Sequence, residues 1–152
     1  MATRISLYLF LIFSVPMLGQ TNYEVVEQQL PYHTIGSSFT TNIVGTNEPF
    51  VVYQWQKYME EHKGITYVVH LDEGNIELIS EHVAFPLLPD ELVTIHSRLS
   101  PNPSETGVLL SLWIERKDGS YFDSNSQQEA GKQIKSWLQK FHDSIMKLNQ
   151  VH

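Results

Sequence analysis

Histidine is the residue type best suited to acid–base or metal chemistry in this chain of 152 residues, which contains seven of them. They are His33, His62, His70, His82, His96, His142 and His152. Metal sites place histidines at short regular spacings, as in His-Glu-x-x-His on a helix or His-x-His on a strand. No pair in this chain has such a spacing. The sequence therefore predicts structural or surface histidines and no metal site.

Serine nucleophiles and paired carboxylates are the other candidates for catalysis. No serine lies in a Gly-x-Ser-x-Gly elbow, and Ser111 falls inside the most apolar predicted strand. The acidic pairs are Glu60-Glu61, Asp72-Glu73 and Asp90-Glu91. Because the two residues of each pair are adjacent, their side chains point apart on a helix or strand. We therefore predict no catalytic residue from spacing, and a site that converges only in the fold is the alternative.

Composition excludes several function classes. The chain has 17 acidic and 10 basic residues, a formal net charge of −7, which disfavours nucleic-acid binding because neutralising phosphates requires a basic surface. The absence of cysteine excludes a disulfide framework, a thiolate zinc site and an iron–sulfur centre. There is also no glycine-rich phosphate loop. We therefore predict no cofactor.

The first nineteen residues have the layout of a secretory signal peptide. Arg4 precedes an apolar run from Ile5 to Val15, and the small residue Gly19 follows shortly after it. This run is too short for a membrane span, which needs about 20 apolar residues. We expect cleavage after Gly19, no stable membrane span afterwards, and a periplasmic or extracellular location. An uncleaved anchor is the alternative.

The folded domain is expected to span residues 37–149, after a lead-in over residues 20–36 that shows no sustained period. Its first strand is predicted at 38–44, where apolar residues alternate. A helix should follow, capped by Thr46 or Asn47, running to about Lys63 and ending at Gly64 in the left-handed conformation. Its predicted buried stripe contains Val52, Trp55, Tyr58 and Met59.

A series of strands connected by turns is predicted next. The strands are residues 65–72, 76–85, 91–99 and 108–115, with a short return at Tyr121–Phe122. Residues 108–115 are the most apolar and are expected to be central. In the strand 65–72, Thr66, Val68, His70 and Asp72 form the less apolar set, which we expect on the open face of the sheet.

The last predicted element is a long amphipathic helix. Ser126 and Glu129 have the spacing of a capping box, and apolar residues then recur every three or four positions. This stripe contains Ala130, Ile134, Trp137, Leu138, Phe141, Ile145 and Leu148. The element order predicts a two-layer α+β fold, in which two helices pack on one face of an antiparallel meander of about five strands.

Several segments are similar to a family of small secreted uncharacterised bacterial proteins. They are Asp90–Leu99, Leu110–Ile114 after Gly107, Gly119–Ser124 before the last helix, and the helix around Trp55–Tyr58. The resemblance covers about residues 46–146 and departs from the family where Asp118 stands in place of the first glycine of a pair. It implies the fold and secretion. Because the family has no established activity, it implies no catalytic residue.

These observations predict an exported, non-enzymatic binding or interaction module whose partner is a protein or an apolar small molecule. Two candidate binding sites remain open. One is the open sheet face with Thr66, Val68 and His70, to which Glu77 (opposite His70) and His96 are added. The other is an apolar pocket between the sheet and the last helix. The alternative function is a secreted hydrolase or metal-dependent enzyme that uses His70, Glu77 and His96.

Overall fold

The computed structural model describes residues 25–30, 36–72, 74–104 and 106–150. Its elements are, in chain order, β1 (Val26–Gln28), β2 (Ser38–Val44), α1 (Glu48–Glu61), β3 (Ile65–Asp72), β4 (Asn75–Ala84), β5 (Leu92–Pro101), β6 (Gly107–Glu115) and α2 (Gln128–Asn149). The predicted signal peptide, residues 1–19, lies outside the described residues. Part of the expected lead-in is a strand, because β1 falls within it.

One antiparallel sheet contains the six described strands in the order β1-β2-β6-β5-β4-β3. Strands β3 to β6 form a meander, and β6 lies in the interior as its apolar sequence predicted. Helix α1 carries the chain from β2 to the opposite edge, where β3 begins. The α+β prediction is therefore confirmed, and β1 is an addition because three residues are too short to display a strand period.

The hydrophobic core lies between the two helices and one face of the sheet. Helix α1 contacts β3, β4 and β5, whereas α2 contacts β2 and α1. Between these layers the rings of five aromatic residues meet, with neighbouring centroids 4.9–6.1 Å apart. This aromatic cluster consists of Trp55, Tyr58, Phe85, Trp137 and Phe141. Rings therefore fill the space around Trp137, where the sequence allowed an apolar pocket.

The aromatic cluster also explains the buried face of α1. Val51, Trp55 and Met59 are its fully buried residues, so the predicted stripe is shifted by one position from Val52. Tyr58 lies at the margin of the cluster and is only partly buried. Its burial raises the pKa of the phenol from 10.0 to about 12, because the phenolate would lose hydration there.

The ends of α1 confirm one predicted cap and correct the other. The Asn47 side chain accepts a hydrogen bond from the Phe50 N–H at 3.0 Å, as expected of an N-cap. At the other end the left-handed residue is Lys63, with φ of 65°, and not Gly64. Gly64 is required for space instead, since a Cβ there would lie 2.8 Å from Cγ2 of Val83.

The segment before α2 differs from its prediction in two ways. The helix begins at Gln128, and the hydroxyl of Ser126 donates to the Asp123 carbonyl at 2.8 Å, so the predicted capping box does not form. The short strand predicted at Tyr121–Phe122 is a single bridge between Tyr121 and Glu115. Local turn bonds around Asp123 therefore replace the capping box, and the short return strand is reduced to this bridge.

Candidate functional site

The two faces of β3 are exchanged halfway along the strand by a bulge. Thr66 and Val68 pair with Ser80 and Leu78, whose side chains are buried on the helix-covered face. The register then shifts between Val68 and His70, so that Val69 has no opposite residue. The prediction that Thr66, Val68 and His70 share the open face is therefore wrong, because strict alternation does not survive a bulge.

His70 and Glu77 are directly opposite each other on the open face, as the predicted hairpin register required. One oxygen of Glu77 accepts hydrogen bonds from Arg98 Nε at 3.0 Å and Nη2 at 2.9 Å. The Arg98 guanidinium also lies 5.5 Å from the ring of Trp113. Glu77 is therefore held by an arginine, an arrangement that positions the two side chains and neutralises the carboxylate.

His96 lies on the same face but belongs to a separate polar group. Its Nε2 is 2.6 Å from a Glu115 carboxylate oxygen and 3.3 Å from the Tyr121 hydroxyl. The imidazole is only 7% exposed. The candidate enzyme residues His70, Glu77 and His96 thus share a face, on which Glu77 is bonded to Arg98 and His96 to Glu115 and Tyr121. Among the described residues, no group of three or more histidines and carboxylates is arranged to hold a metal ion.

The open face is covered near β1 and uncovered near β3. Trp113 in β6 is fully buried, and its indole N–H donates to the Leu30 carbonyl at 3.2 Å. The hydroxyls of Thr40 and Ser111 are 2.7 Å apart in the same region. Farther across the sheet, His70 is exposed. Accessible surface on this face therefore increases towards β3.

Strand β3 is the sheet edge with the largest exposed apolar surface. It is eight residues long and ends the strand order, so its outer side has no strand partner among the described residues. Five of its large apolar side chains are between 48% and 73% exposed. They are Ile65, Tyr67, Val68, Val69 and Leu71. Native edge strands are usually short, charged or covered, because a free edge invites pairing with another chain.

The inner side of β3 is firmly held, so its outer side is presented in a fixed conformation. Thr66 and Ser80 hydroxyls are 2.8 Å apart across the β3–β4 pair, and α1 packs against the strand. Gly64 makes the close turn from α1 into β3 possible, and Gly74, with φ of 89°, turns β3 back into β4. A preformed edge requires little ordering when a partner binds.

Strand β1 forms the opposite edge and is protected. It has three residues, and its central Glu27 carboxylate is 3.2 Å from the Lys135 ammonium of α2. Ser124 donates a further hydrogen bond to Glu27. A cavity of about 660 Å³ lies between β1 and the start of α2. The ion pair between Glu27 and Lys135 lies in its wall, so charge there is balanced within the chain.

Sequence reasoning placed Thr66, Val68 and His70 of β3 in a candidate site but missed the free edge of the strand and its exposed apolar residues. Ile65, Tyr67, Val69 and Leu71 form the more apolar set, and a strand with such a set is normally expected to bury it. Their exposure follows from the position of β3 in the sheet, which no local pattern encodes. The sparse charge of the strand, limited to His70 and Asp72, was the only signal of an unusual edge.

No family model, curated protein or solved structure matches the chain in comparisons with known proteins. The likeness to small secreted bacterial proteins therefore stays an expectation from the sequence. Among the described residues, neither helix combines the length and apolar character that crossing a membrane requires.

Proposed function

We propose that this chain is an exported, non-enzymatic binding module that receives an extended strand of a protein partner at the free edge of β3. The observation that carries the proposal is the exposure of five large apolar side chains along this eight-residue edge strand. A strand added there would form main-chain hydrogen bonds and cover apolar surface at the same time.

Specificity in this mode comes from side chains on the two faces of the added strand. Tyr67 and His70 would contact the partner on the open face, whereas Val68 and Leu71 would contact it on the helix-covered face. The partner segment is therefore expected to be extended and apolar on both faces. A protein partner is favoured over an apolar small molecule because aromatic rings fill the space between sheet and helices.

Export is part of the proposal and depends on the signal-like sequence of residues 1–19. Mass spectrometry of the protein recovered from the envelope fraction of its host tests it. A chain beginning at Gln20 supports export with cleavage. An intact Met1 in a membrane-bound fraction supports the uncleaved anchor, and an intact chain in the cytoplasm contradicts export.

Site-specific photo-crosslinking in the native host tests the binding site. A benzophenone amino acid at Leu71 should give a covalent adduct of defined mass, because this side chain is 73% exposed on the β3 edge. The same probe at Val26, which is 48% exposed on the β1 edge, is the matched control and should give none. Equal adducts at both positions, or none at Leu71, would overturn the proposal.

A further inference from the structure

We infer that the strand received by β3 is β3 of a second copy of this chain, so that two six-stranded sheets join across a two-fold axis into one continuous sheet. This inference rests on the proposed function, because it names the occupant of the same edge. Three features of β3 support it: the strand is self-complementary, its two ends have opposite charges, and β4 and α1 hold it in one conformation.

The β3–β4 register assigns each paired β3 residue to one face of the sheet, and these assignments make the strand self-complementary. Opposed residues in an antiparallel pair share a face, so a two-fold pairing must match open-face residues with open-face residues. Centring the pair on Val68 satisfies this condition for every β3 residue that has a partner in β4. With the bulged residue Val69 left out of the pairing in both copies, the opposed pairs are Ile65 with Asp72, Thr66 with Leu71, Tyr67 with His70, and Val68 with its own copy.

The neighbouring two-fold registers are poorer. Centring the pair on Tyr67 places Leu71 and Asp72 opposite Gly64 and Lys63, which precede β3, so neither has an opposite residue within the strand. Centring it on His70 places two histidines directly against each other and leaves Ile65 and Thr66 unpaired. Two like charges directly opposite each other destabilise a strand pair, and apolar residues without an opposite residue bury no surface. The register centred on Val68 avoids both and is therefore favoured.

Charge at the two ends of the strand favours the antiparallel arrangement. Lys63 lies just before β3 and is exposed, and Asp72 is the last β3 residue. An antiparallel pairing brings the Lys63 end of each copy to the Asp72 end of the other, twice in the dimer. A parallel pairing would instead place the two basic ends together and the two acidic ends together.

The expected dimer is weak. A contact made by one strand from each copy belongs to the small interface class, below about 1,200 Å² in total, which is typical of transient association. We therefore expect a dissociation constant of about 1–100 µM. The small reorganisation required of β3 works in favour of association, because the strand is already held by α1 and β4.

Sedimentation velocity over a concentration series tests the dimer with the processed protein. The unchanged protein should shift from monomer to dimer as concentration rises. Val68→Lys, which sets two ammonium groups against each other at the two-fold axis, should raise the dissociation constant about tenfold or more. Val26→Lys on the β1 edge adds the same charge at a similarly exposed valine and should leave dimerisation unchanged. Circular dichroism verifies that both variants are folded.

Single cysteines test the register, and the chain has no cysteine of its own to interfere. Val68→Cys should form a disulfide-linked dimer under mild oxidation, because the opposed Cα atoms fall within the 4.4–6.8 Å range that a disulfide needs. Leu71→Cys is the control, since its two copies would be about 13 Å apart along the strands. Linkage through Tyr67→Cys or His70→Cys instead would identify one of the other registers and overturn this one.

The outcomes separate this inference from the proposed function. A protein that stays monomeric at all concentrations, while the Leu71 photoprobe gives an adduct heavier or lighter than two copies of the chain, refutes the second copy and leaves strand capture standing. A monomer with no Leu71 adduct refutes both. Dimerisation with equal disulfide yields at all four cysteine positions refutes the inference, because it would indicate random collisions.

Discussion

The two edges of the sheet differ in length, charge and cover. Strand β1 has three residues, and its Glu27 is joined to Lys135 and Ser124 of the α2 region. Strand β3 has eight residues, exposes apolar side chains, and His70 and Asp72 are its only basic or acidic residues. The protected edge thus shows the usual devices against pairing, whereas the free edge has only the bulge at Val69 and the charge of Asp72 at its end.

This difference indicates that side chains at the two edges contribute to different equilibria. Contacts at β1 are made within the chain, so their loss should lower the free energy of unfolding. The exposed side chains of β3 contribute little to the stability of the folded monomer. Their loss should instead weaken association with a partner.

Trp137→Ala should disrupt the core packing between the helices and the sheet, on which both edges depend. Trp137 is 6% exposed and its ring contacts Trp55, Tyr58 and Phe85 between the layers. We expect a loss of about 3–5 kcal/mol in the free energy of unfolding, measured by urea denaturation. Trp137→Phe, which retains a ring, should lose less. A loss below about 1 kcal/mol would place the indole outside the core and contradict the packing described above.

Glu27→Ala should lower the stability contributed by the protected β1 edge and leave association at β3 unchanged. The substitution removes the ion pair with Lys135 and the hydrogen bond from Ser124, so we expect a loss of about 1 kcal/mol in the free energy of unfolding. Glu27→Gln, which keeps a hydrogen-bond acceptor, should lose less. Sedimentation should give an unchanged dissociation constant. A tenfold weaker dimer in Glu27→Ala would show that the two edges are not independent.

Leu71→Ser should weaken association at the free edge and leave the stability of the monomer nearly unchanged. The side chain is 73% exposed in the folded chain, so the free energy of unfolding of the monomer should change by less than about 0.5 kcal/mol. Denaturation is measured well below the dissociation constant, and association is measured separately by sedimentation, where the variant should dimerise more weakly. A loss of more than about 1 kcal/mol in the monomer would mean that β3 is covered within the chain.

Tyr58→Phe should have no pH-dependent effect near neutrality and a small one in alkali. The pKa of Tyr58 is raised from 10.0 to about 12 by burial, so its neutral form favours the folded state. That contribution is complete below pH 10 and is lost as pH rises towards 12. Ultraviolet titration should show a phenolate component near pH 12 that Tyr58→Phe removes, together with a flatter alkaline loss of stability. If the component that Tyr58→Phe removes titrated near pH 10 instead, the burial of Tyr58 would be contradicted.

Local patterns in the sequence predicted most of the fold because periodicity and capping are local. The alternation of Phe39, Thr41 and Ile43 and the helical stripe through Trp137 are each visible within one element. The bulge at Val69 and the failure of the Ser126 capping box were not predictable in this way. Both depend on neighbours: the register of β4 in the first case and the Asp123 carbonyl in the second.

The candidate site was predicted only in part, for a related reason. The pairing of His70 with Glu77 follows from a two-residue hairpin turn, so it was accessible from sequence. The exposure of Tyr67 and Leu71 depends on β3 lying last in the strand order, which α1 determines by crossing the sheet. A strand with the same residues in the interior would be entirely core.

The crossing made by α1 also determines how the protein reaches its native state. Strand β2 must pair with β6 across a long stretch of chain, Val44 opposite Gly107, whereas β3 to β6 are joined by short turns. Contacts between sequence neighbours form sooner than distant ones, so the meander should assemble first and β2 should dock late. Until β2 docks, the apolar strand β6 is a second unpaired edge of the sheet. Newly synthesised molecules would then be most prone to misassociate before β2 has docked, and a chaperone would need to shield β6 rather than β3.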